Sequence, residues 1–440
     1  MRARRPAAAA ALLLLAACAE PPPGPLPPLE PAPVPAEAAP GTGTPPAPPA
    51  PVVTKSPTPP AAAASPPEPV REPETLLVQL LAGGRRASVE VAVDGPWAML
   101  DAEGGTILKE GAVSLRCRIG TEVPASSGKD DQRLAKGGRK VIPRQGQGFS
   151  VDGRAYAGSL EAWRGLPDGY PVPLVLRNEV GWGDYLAGVL AAELSPESPP
   201  ESLRALAVLA RSFALTHLEG LSDDPGVHQA YRGKPSAAAL PALRAAVAST
   251  ESLRLASPDG SPLPGFWYHS TCGGRTADAS LVFGAPPTRA YGGVVCPHCT
   301  SSKYYRWEVE VPEEDLRKAI RFGSPVTDLS VARRSPDGRV VAFRAVAAGG
   351  TPKEVPALEI RSALGPNRLR STFIASVEEV PSPSGKRGAA PRAFLFKGRG
   401  WGHGVGLCQV GAMAMAREGR TAEEILAFYY PGTRQVRAAR

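Results

Sequence analysis

Apolar and polar residues change rhythm near residue 183, and the change divides the chain into two kinds of structure. From Thr75 to Gly153 short apolar runs are broken by Gly, Asp and basic residues, and Leu76–Leu81, Ala87–Val93 and Ala112–Ile119 predict strands. The polar stretch 128–140 predicts a solvated loop. Tyr156–Val180 adds hairpin strands punctuated by Pro171, Pro173 and several glycines. Beyond this point the period lengthens. Asp184–Leu194 and Glu201–Glu219 predict helices, with Pro199 and Pro200 placed at the second helix's start, where a missing N–H costs least. Ala239–Ser252 predicts a third helix, followed by strands at Arg254–Ala256 and Gly265–Ser270. Tyr304–Val311 alternates as a strand, and Pro312–Phe322 opens with acidic residues as a helix does. Residues 326–380 predict further strands. Phe394–Phe396, a glycine-rich turn and helices near 407–418 and 421–429 close the pattern. Together these elements predict a mixed α+β fold: a β-rich N-terminal lobe over 73–153, then a mixed α/β lobe over 154–433 with a groove.

Residues 1–72 follow neither rhythm. Arg2, Arg4 and Arg5 precede an apolar run, Ala7 to Ala17, which is too short to span a bilayer but has the length of a signal-peptide core. It ends at Leu15-Ala16-Ala17-Cys18, which resembles a bacterial lipobox, so residues 1–18 are expected to be an export signal and Cys18 a lipid acceptor. Ala19 follows the cysteine where an aspartate would favour retention in an inner membrane. The expectation is therefore a membrane anchor on the periplasmic face of an outer membrane. Residues 19–72 are dominated by Pro, Ala and small polar residues, which bury too little apolar surface to fold. They predict a tether reaching at most roughly 150–170 Å when fully extended.

Charge narrows the partners. The chain carries a formal net charge of +8. Its basic residues are scattered, without the aromatic-interleaved stripe of a single-strand nucleic-acid binder, so nucleic acid is not expected. An anionic polymer outside the cytoplasm fits better.

The most informative side chain is Glu193. Leu186, Val189 and Leu190 form one face of the predicted helix, and Glu193 continues that stripe, so its carboxylate points toward the protein body. It also lies at the helix C-terminus, where the macrodipole disfavours negative charge. Both effects raise its pKa, as a general acid near neutral pH requires. Asp184 lies about half a turn off that face and is no partner for it. The following helix is apolar nearly all round, so Arg211 within it needs a buried partner. Glu193 is the nearest carboxylate in sequence, and pairing would lower its pKa.

Two further clusters carry chemistry. The chain has six cysteines. Cys18 is the lipid site, Cys117 and Cys408 stand alone, and Cys272 joins Cys296-Pro297-His298-Cys299. Cys272, Cys296 and Cys299 with His269 or His298 supply tetrahedral ligands for a structural zinc; a disulfide from Cys272 to one of the pair is an equal alternative in an oxidising compartment. The stretch Gly398–Gly411 has no phosphate-loop Gly-Lys-Ser/Thr. Trp401 offers a face on which a sugar stacks, and a groove wall containing Trp401, His403 and Gln409 is expected.

Three long motifs, in order, complete the reading: Asp184 to Glu193 with Ser202 to Leu215, Tyr268-His269-Ser270-Thr271-Cys272-Gly273-Gly274-Arg275-Thr276, and Gly398 to Ala412, followed by Tyr429-Tyr430-Pro431-Gly432. They resemble the SpoIID/LytB family over roughly residues 155–433. The resemblance implies action on peptidoglycan. Its sporulation members are lytic transglycosylases acting on glycan strands stripped of stem peptides, with the catalytic glutamate at the position of Glu193 and a helix arginine at that of Arg211. One carboxylate suffices there, because the sugar's own C6 hydroxyl attacks C1 and leaves a 1,6-anhydro end. The motifs also mark Tyr268, Ser270, Gln229 and Tyr231 as substrate-binding. Other members are enhancers of a cell-wall amidase, which makes a non-catalytic glycan-binding module the alternative. Leu206 stands where the family often has Gln, and Gly226-Val227-His228-Gln229-Ala230-Tyr231 lacks the cysteine of the family's zinc site. Cys408 stands where Ser is more usual and is read as a small helix residue.

Overall fold

The computed structural model describes residues 70–439 apart from 81–85, 104, 124–127, 129, 135–136, 147, 166–173 and 383–390. The export signal, Cys18 and the tether up to residue 69 lie outside the described residues.

The N-terminal region is two antiparallel-rich sheets. In the first, six strands run in the order Thr75–Leu80, Val175–Gly181, Ser159–Trp163, Gly138–Pro143, Trp97–Asp101, Ile107–Gly111. In the second, five strands run Gln132–Arg133, Leu115–Gly120, Ser88–Val93, Phe149–Val151, Arg154–Tyr156. Period-two alternation places Val89, Val91 and Val93 of one strand and Leu115, Cys117 and Ile119 of its neighbour in the core. The sheet continues past residue 153, because Ser159–Trp163 and Val175–Gly181 complete the first sheet.

The Trp182–Glu193 helix starts where the Val175–Gly181 strand ends. Tyr185, Leu186, Val189 and Leu190 are fully buried, each aliphatic side chain contributing about 1.5–3 kcal/mol. The Pro200–Leu215 helix is central: every residue from Ala205 to Ala214 is buried. It packs against the Leu240–Ser249, Gln409–Arg417 and Ala422–Tyr429 helices. The chain's end returns to this core, since Arg434–Arg437 pairs with Leu253–Ala256.

Residues 307–396 build a second hydrophobic core within the expected catalytic lobe. Trp307–Pro312, Ala393–Gly398 and Ile374–Val380 form one three-stranded sheet, and Val326–Arg334, Val340–Ala347 and Lys353–Pro356 form another. Phe343, Phe394 and Phe396 fill the space between them.

The end of the predicted tether belongs to the fold. Glu72 N–H donates to Ala439 O at 2.9 Å, and the Glu72 carboxylate is an ion-pair partner of Arg211. The expected Arg211–Glu193 pair is thereby corrected. Arg211 also lies over the Trp182 ring, 5.2 Å from its centroid. Trp182 opens the helix that Glu193 closes, about 16 Å away at 1.5 Å per residue.

Candidate functional site

Glu193 ends its helix half-buried and receives three donors. Gln409 Nε2 donates to Oε2 at 2.9 Å, while Ala230 N–H and Tyr268 Oη–H donate to Oε1, each at 3.4 Å. Burial pushes the carboxyl above its ordinary value; the hydrogen bonds from Gln409, Ala230 and Tyr268 and the charge of Arg232 oppose it but do not prevail. None of these partners is a second carboxylate. A carboxyl group offers about four acceptor positions. Three donors leave room for one transferable proton.

A second layer holds these donors. Tyr268 shares its one hydroxyl hydrogen between Glu193 Oε1 and Gln229 Oε1, the latter closer at 3.1 Å, and Gln229 Nε2 donates to Ala210 O at 3.0 Å and to Tyr185 Oη at 3.3 Å. Tyr268 is fixed through its backbone as well. Val405 N–H donates to His403 Nδ1 at 3.0 Å, so the ring proton sits on Nε2, which donates to Tyr268 O at 2.9 Å. Burial holds His403 down to about 4, so it stays neutral at physiological pH. The short parallel pairing of Tyr268–His269 with Leu407–Cys408 joins the two segments that carry Tyr268 and Gln409.

Residues 173–256 match the SpoIID family, described as stage II sporulation protein, and residues 298–406 match a domain of unknown function, DUF8618. The chain is 26% identical over 275 residues to stage II sporulation protein D of Bacillus subtilis, covering 57% of this chain and 73% of that protein. An uncharacterized protein of Brachyspira hyodysenteriae is 28% identical over 298 residues, which are 65% of this chain and 73% of the relative. A stretch of 79 residues is 34% identical to the amidase enhancer of Bacillus subtilis, covering 18% of this chain and 10% of that protein. These similarities support the resemblance to the SpoIID/LytB family.

Of the residues that the family motifs marked, the structure brings Glu193, Tyr268, Gln229 and Gln409 into one network and sets others apart. Tyr231 is fully buried, donates to Asn178 Oδ1 at 2.8 Å and packs on Tyr185, so it has no surface for substrate. Ser270 acts through its carbonyl, which accepts the Val410 N–H at 3.1 Å. His403 spends both ring nitrogens on backbone groups rather than facing a groove as a free side chain. Trp401 is half-buried and edge-on to Tyr304 at 4.3 Å, with its backbone bonded to Thr271. Arg211 faces a cavity of about 790 Å³ at the other end of the helix, whose lining includes Glu72, Glu74, Asp184 and Glu251. Those carboxylates make that cavity a poor receptor for an anionic polymer. Exposed Arg232, which acts electrostatically on Glu193, was missed in the sequence, although it directly follows Gln229-Ala230-Tyr231.

The cysteine cluster differs from expectation in its fourth member. Among the described residues, Cys272, Cys296, Cys299 and Cys408 place their sulfurs within 4.8 Å of one another, all buried and free. A tetrahedral site with metal–sulfur bonds of about 2.3 Å requires sulfurs about 3.8 Å apart, so the donor set fits a metal. His269 is not one of these four, and its Nδ1 donates to Val405 O at 3.0 Å. His298 pairs instead with Glu418 at 3.4 Å. Cys408 is no mere small helix residue, for it caps the Gln409–Arg417 helix by accepting the Gly411 N–H at 3.4 Å.

Proposed function

We propose that the chain acts on the bacterial cell wall as a peptidoglycan lytic transglycosylase, cleaving stem-peptide-free glycan strands with Glu193 as its single acid/base. The observation that carries the reading is a half-buried carboxyl with a raised proton affinity, three donors and, among the described residues, no carboxylate partner. Glu193 gives its proton to the glycosidic oxygen as the C1–O bond breaks. The C6 hydroxyl of the same sugar forms the new bond to C1, and its proton returns to Glu193, so no water is consumed. Gln409 and Tyr268 orient the carboxylate between the two transfers. Arg232, which acts electrostatically on Glu193, on this reading meets the lactyl carboxylate of a muramic residue, in keeping with the net charge of +8. On this reading the thiol cluster holds a structural zinc. Residues 1–18 direct export, and a lipid on Cys18 anchors the domain at the periplasmic face of an outer membrane. Incubation with peptide-stripped glycan strands, followed by mass spectrometry, should give 1,6-anhydro ends that vanish in Glu193→Gln. Binding without cleavage by the wild-type chain would sink the enzymatic reading.

The likeness to an amidase enhancer favours a second reading, in which the same site holds glycan for a cell-wall amidase. It predicts that the chain accelerates an added amidase and that Glu193→Gln leaves that acceleration intact.

A further inference from the structure

The thiol cluster and the Glu193 network share their backbone. Cys408 directly precedes Gln409, which donates to Glu193 Oε2 at 2.9 Å. Cys272 lies four residues beyond Tyr268, the donor to Oε1, on the segment paired with Leu407–Cys408. Cys272 N–H crosses back to Cys408 Sγ at 3.3 Å. Two of the four thiols therefore sit on the two segments that deliver both side-chain donors to Glu193. The other two, Cys296 and Cys299, come from a distant loop. Cys272 Sγ and Cys299 Sγ lie 3.3 Å apart, and Cys296 Sγ contacts Tyr429 Oη at 3.2 Å.

The surroundings are those of sulfur carrying negative charge. Two backbone N–H groups, of Cys272 and Gly411, point at Cys408 Sγ. Buried Arg339 donates to Cys272 O at 3.1 Å, bringing a guanidinium to the edge of the cluster, where Asp337 also meets it at 3.4 Å. Amide donors to sulfur stabilise thiolate, the form that binds a metal. A single disulfide would use two of the four sulfurs, whereas one tetrahedral metal uses all four.

We propose that Cys272, Cys296, Cys299 and Cys408 bind one Zn²⁺, and that this metal is a positioning device which fixes Gln409 and Tyr268 on Glu193. The second half rests on the reading of Glu193 as the acid/base. Binding exchanges thiol protons for the metal: the protons leave to solvent and four sulfur–zinc bonds form, with no change of oxidation state. Soft thiolate donors in tetrahedral array select zinc over magnesium or calcium.

The test uses the purified full chain. Elemental analysis should find about one zinc per chain, and Cys408→Ser should lose it while Cys117→Ser, remote from the cluster, retains it. Cobalt substitution should give the intense visible bands of a tetrahedral sulfur site, a readout that needs no variant to fold. Stripping the metal with a chelator removes the donors that favour the Glu193 carboxylate. The difference in melting temperature between wild type and Glu193→Gln at neutral pH should then widen, and re-added zinc should restore it. In the glycan assay the stripped chain should lose roughly tenfold or more in kcat, with its alkaline limb displaced upward, as loss of the Gln409 hydrogen bond requires. A chain without metal, a denatured thiol count two short because a disulfide has formed, or a melting difference indifferent to zinc would each overturn the proposal. A zinc-loaded chain that cleaves no glycan overturns the enzymatic reading instead, and the melting comparison still decides the coupling.

Discussion

Replacing Glu193 by Gln should make the protein more stable at neutral pH. The amide keeps the shape of the side chain and removes its charge. In the folded chain burial raises the pKa of Glu193, so the unfolded chain holds the carboxylate more comfortably. Below the unfolded value, about 4.3, both states are protonated and the group costs nothing. As pH rises through the interval between the unfolded and folded values, stability is lost, and above it the full penalty persists. Its size follows from opposing terms. The Gln409 bond at 2.9 Å to a charged acceptor is worth about 1.5–3 kcal/mol, and the two contacts at 3.4 Å add little. Burial exceeds their sum, so the net effect is a penalty, and its relief falls on the scale of a single stabilising substitution, about 0.5–2 kcal/mol. In a chain of this size each kcal/mol is about 1 °C in Tm. Gln409, whose side-chain amide donates to Glu193, can turn to present its oxygen to the new NH₂ group. Melts of wild type and Glu193→Gln without glycan, from pH 4 to pH 8, should show the variant ahead at neutral pH and the gap closing in acid. A variant less stable at neutral pH would mean that Glu193 is a structural anion held by its partners, and the acid/base reasoning would fail with it.

Tyr268→Phe removes a donor to Glu193 and orphans Gln229 Oε1, so urea unfolding should register a loss of about 1–3 kcal/mol, and the alkaline limb of glycan cleavage should move upward. Arg211→Met leaves Glu72 buried without its partner; chemical denaturation should show a cost of about 3–5 kcal/mol. Because Arg211 sits at the far end of the helix, the pH profile of the folded fraction should not move, and a displaced profile would restore Arg211 to the site. Gly411→Ala, in the first turn of its helix, would ordinarily stabilise by about 1 kcal/mol. Here the added methyl would overlap Tyr429 Oη and crowd Cys296 Sγ at 3.1 Å, so a lowered Tm with weakened metal retention is expected, and a raised Tm would refute the packing.

The Glu193 helix was legible because its information is local: Leu186, Val189, Leu190 and the carboxylate repeat at helical spacing, and all three apolar residues are buried. Mixed α+β architecture followed from the same periodicities. What could not be read is set by contacts between distant positions. Arg211 had to have a buried partner, yet Glu72 lies 139 residues away in a stretch whose composition reads as tether. The second core at 307–396 arises from strand pairings that no periodicity announces. Gly265–Ser270 predicted a strand, but only Tyr268–His269 pair as one; neighbouring groups bond to Trp401, Val410 and the thiol cluster. Cys408 looked inert because its partners come from residues 272–299.

The glycine-rich stretch before Gln409 takes its meaning from the same distances. Read as a groove wall, its glycines would admit a sugar; in the fold they admit other parts of the protein. Gly406 has φ +72°, and a side chain there would strike Trp267 O and the Tyr430 hydroxyl. That close approach lets Leu407–Cys408 lie beside Tyr268–His269, which sets Gln409 and Tyr268 on opposite oxygens of one carboxylate. A substitution at Gly406 should therefore damage the site without touching Glu193, whereas one at Trp401, which lies outside the Glu193 network, should on the glycan-cleaving reading act on substrate binding. The two classes separate in kinetics. The first lowers kcat by misplacing the acid, and the second raises KM by weakening the grip on glycan.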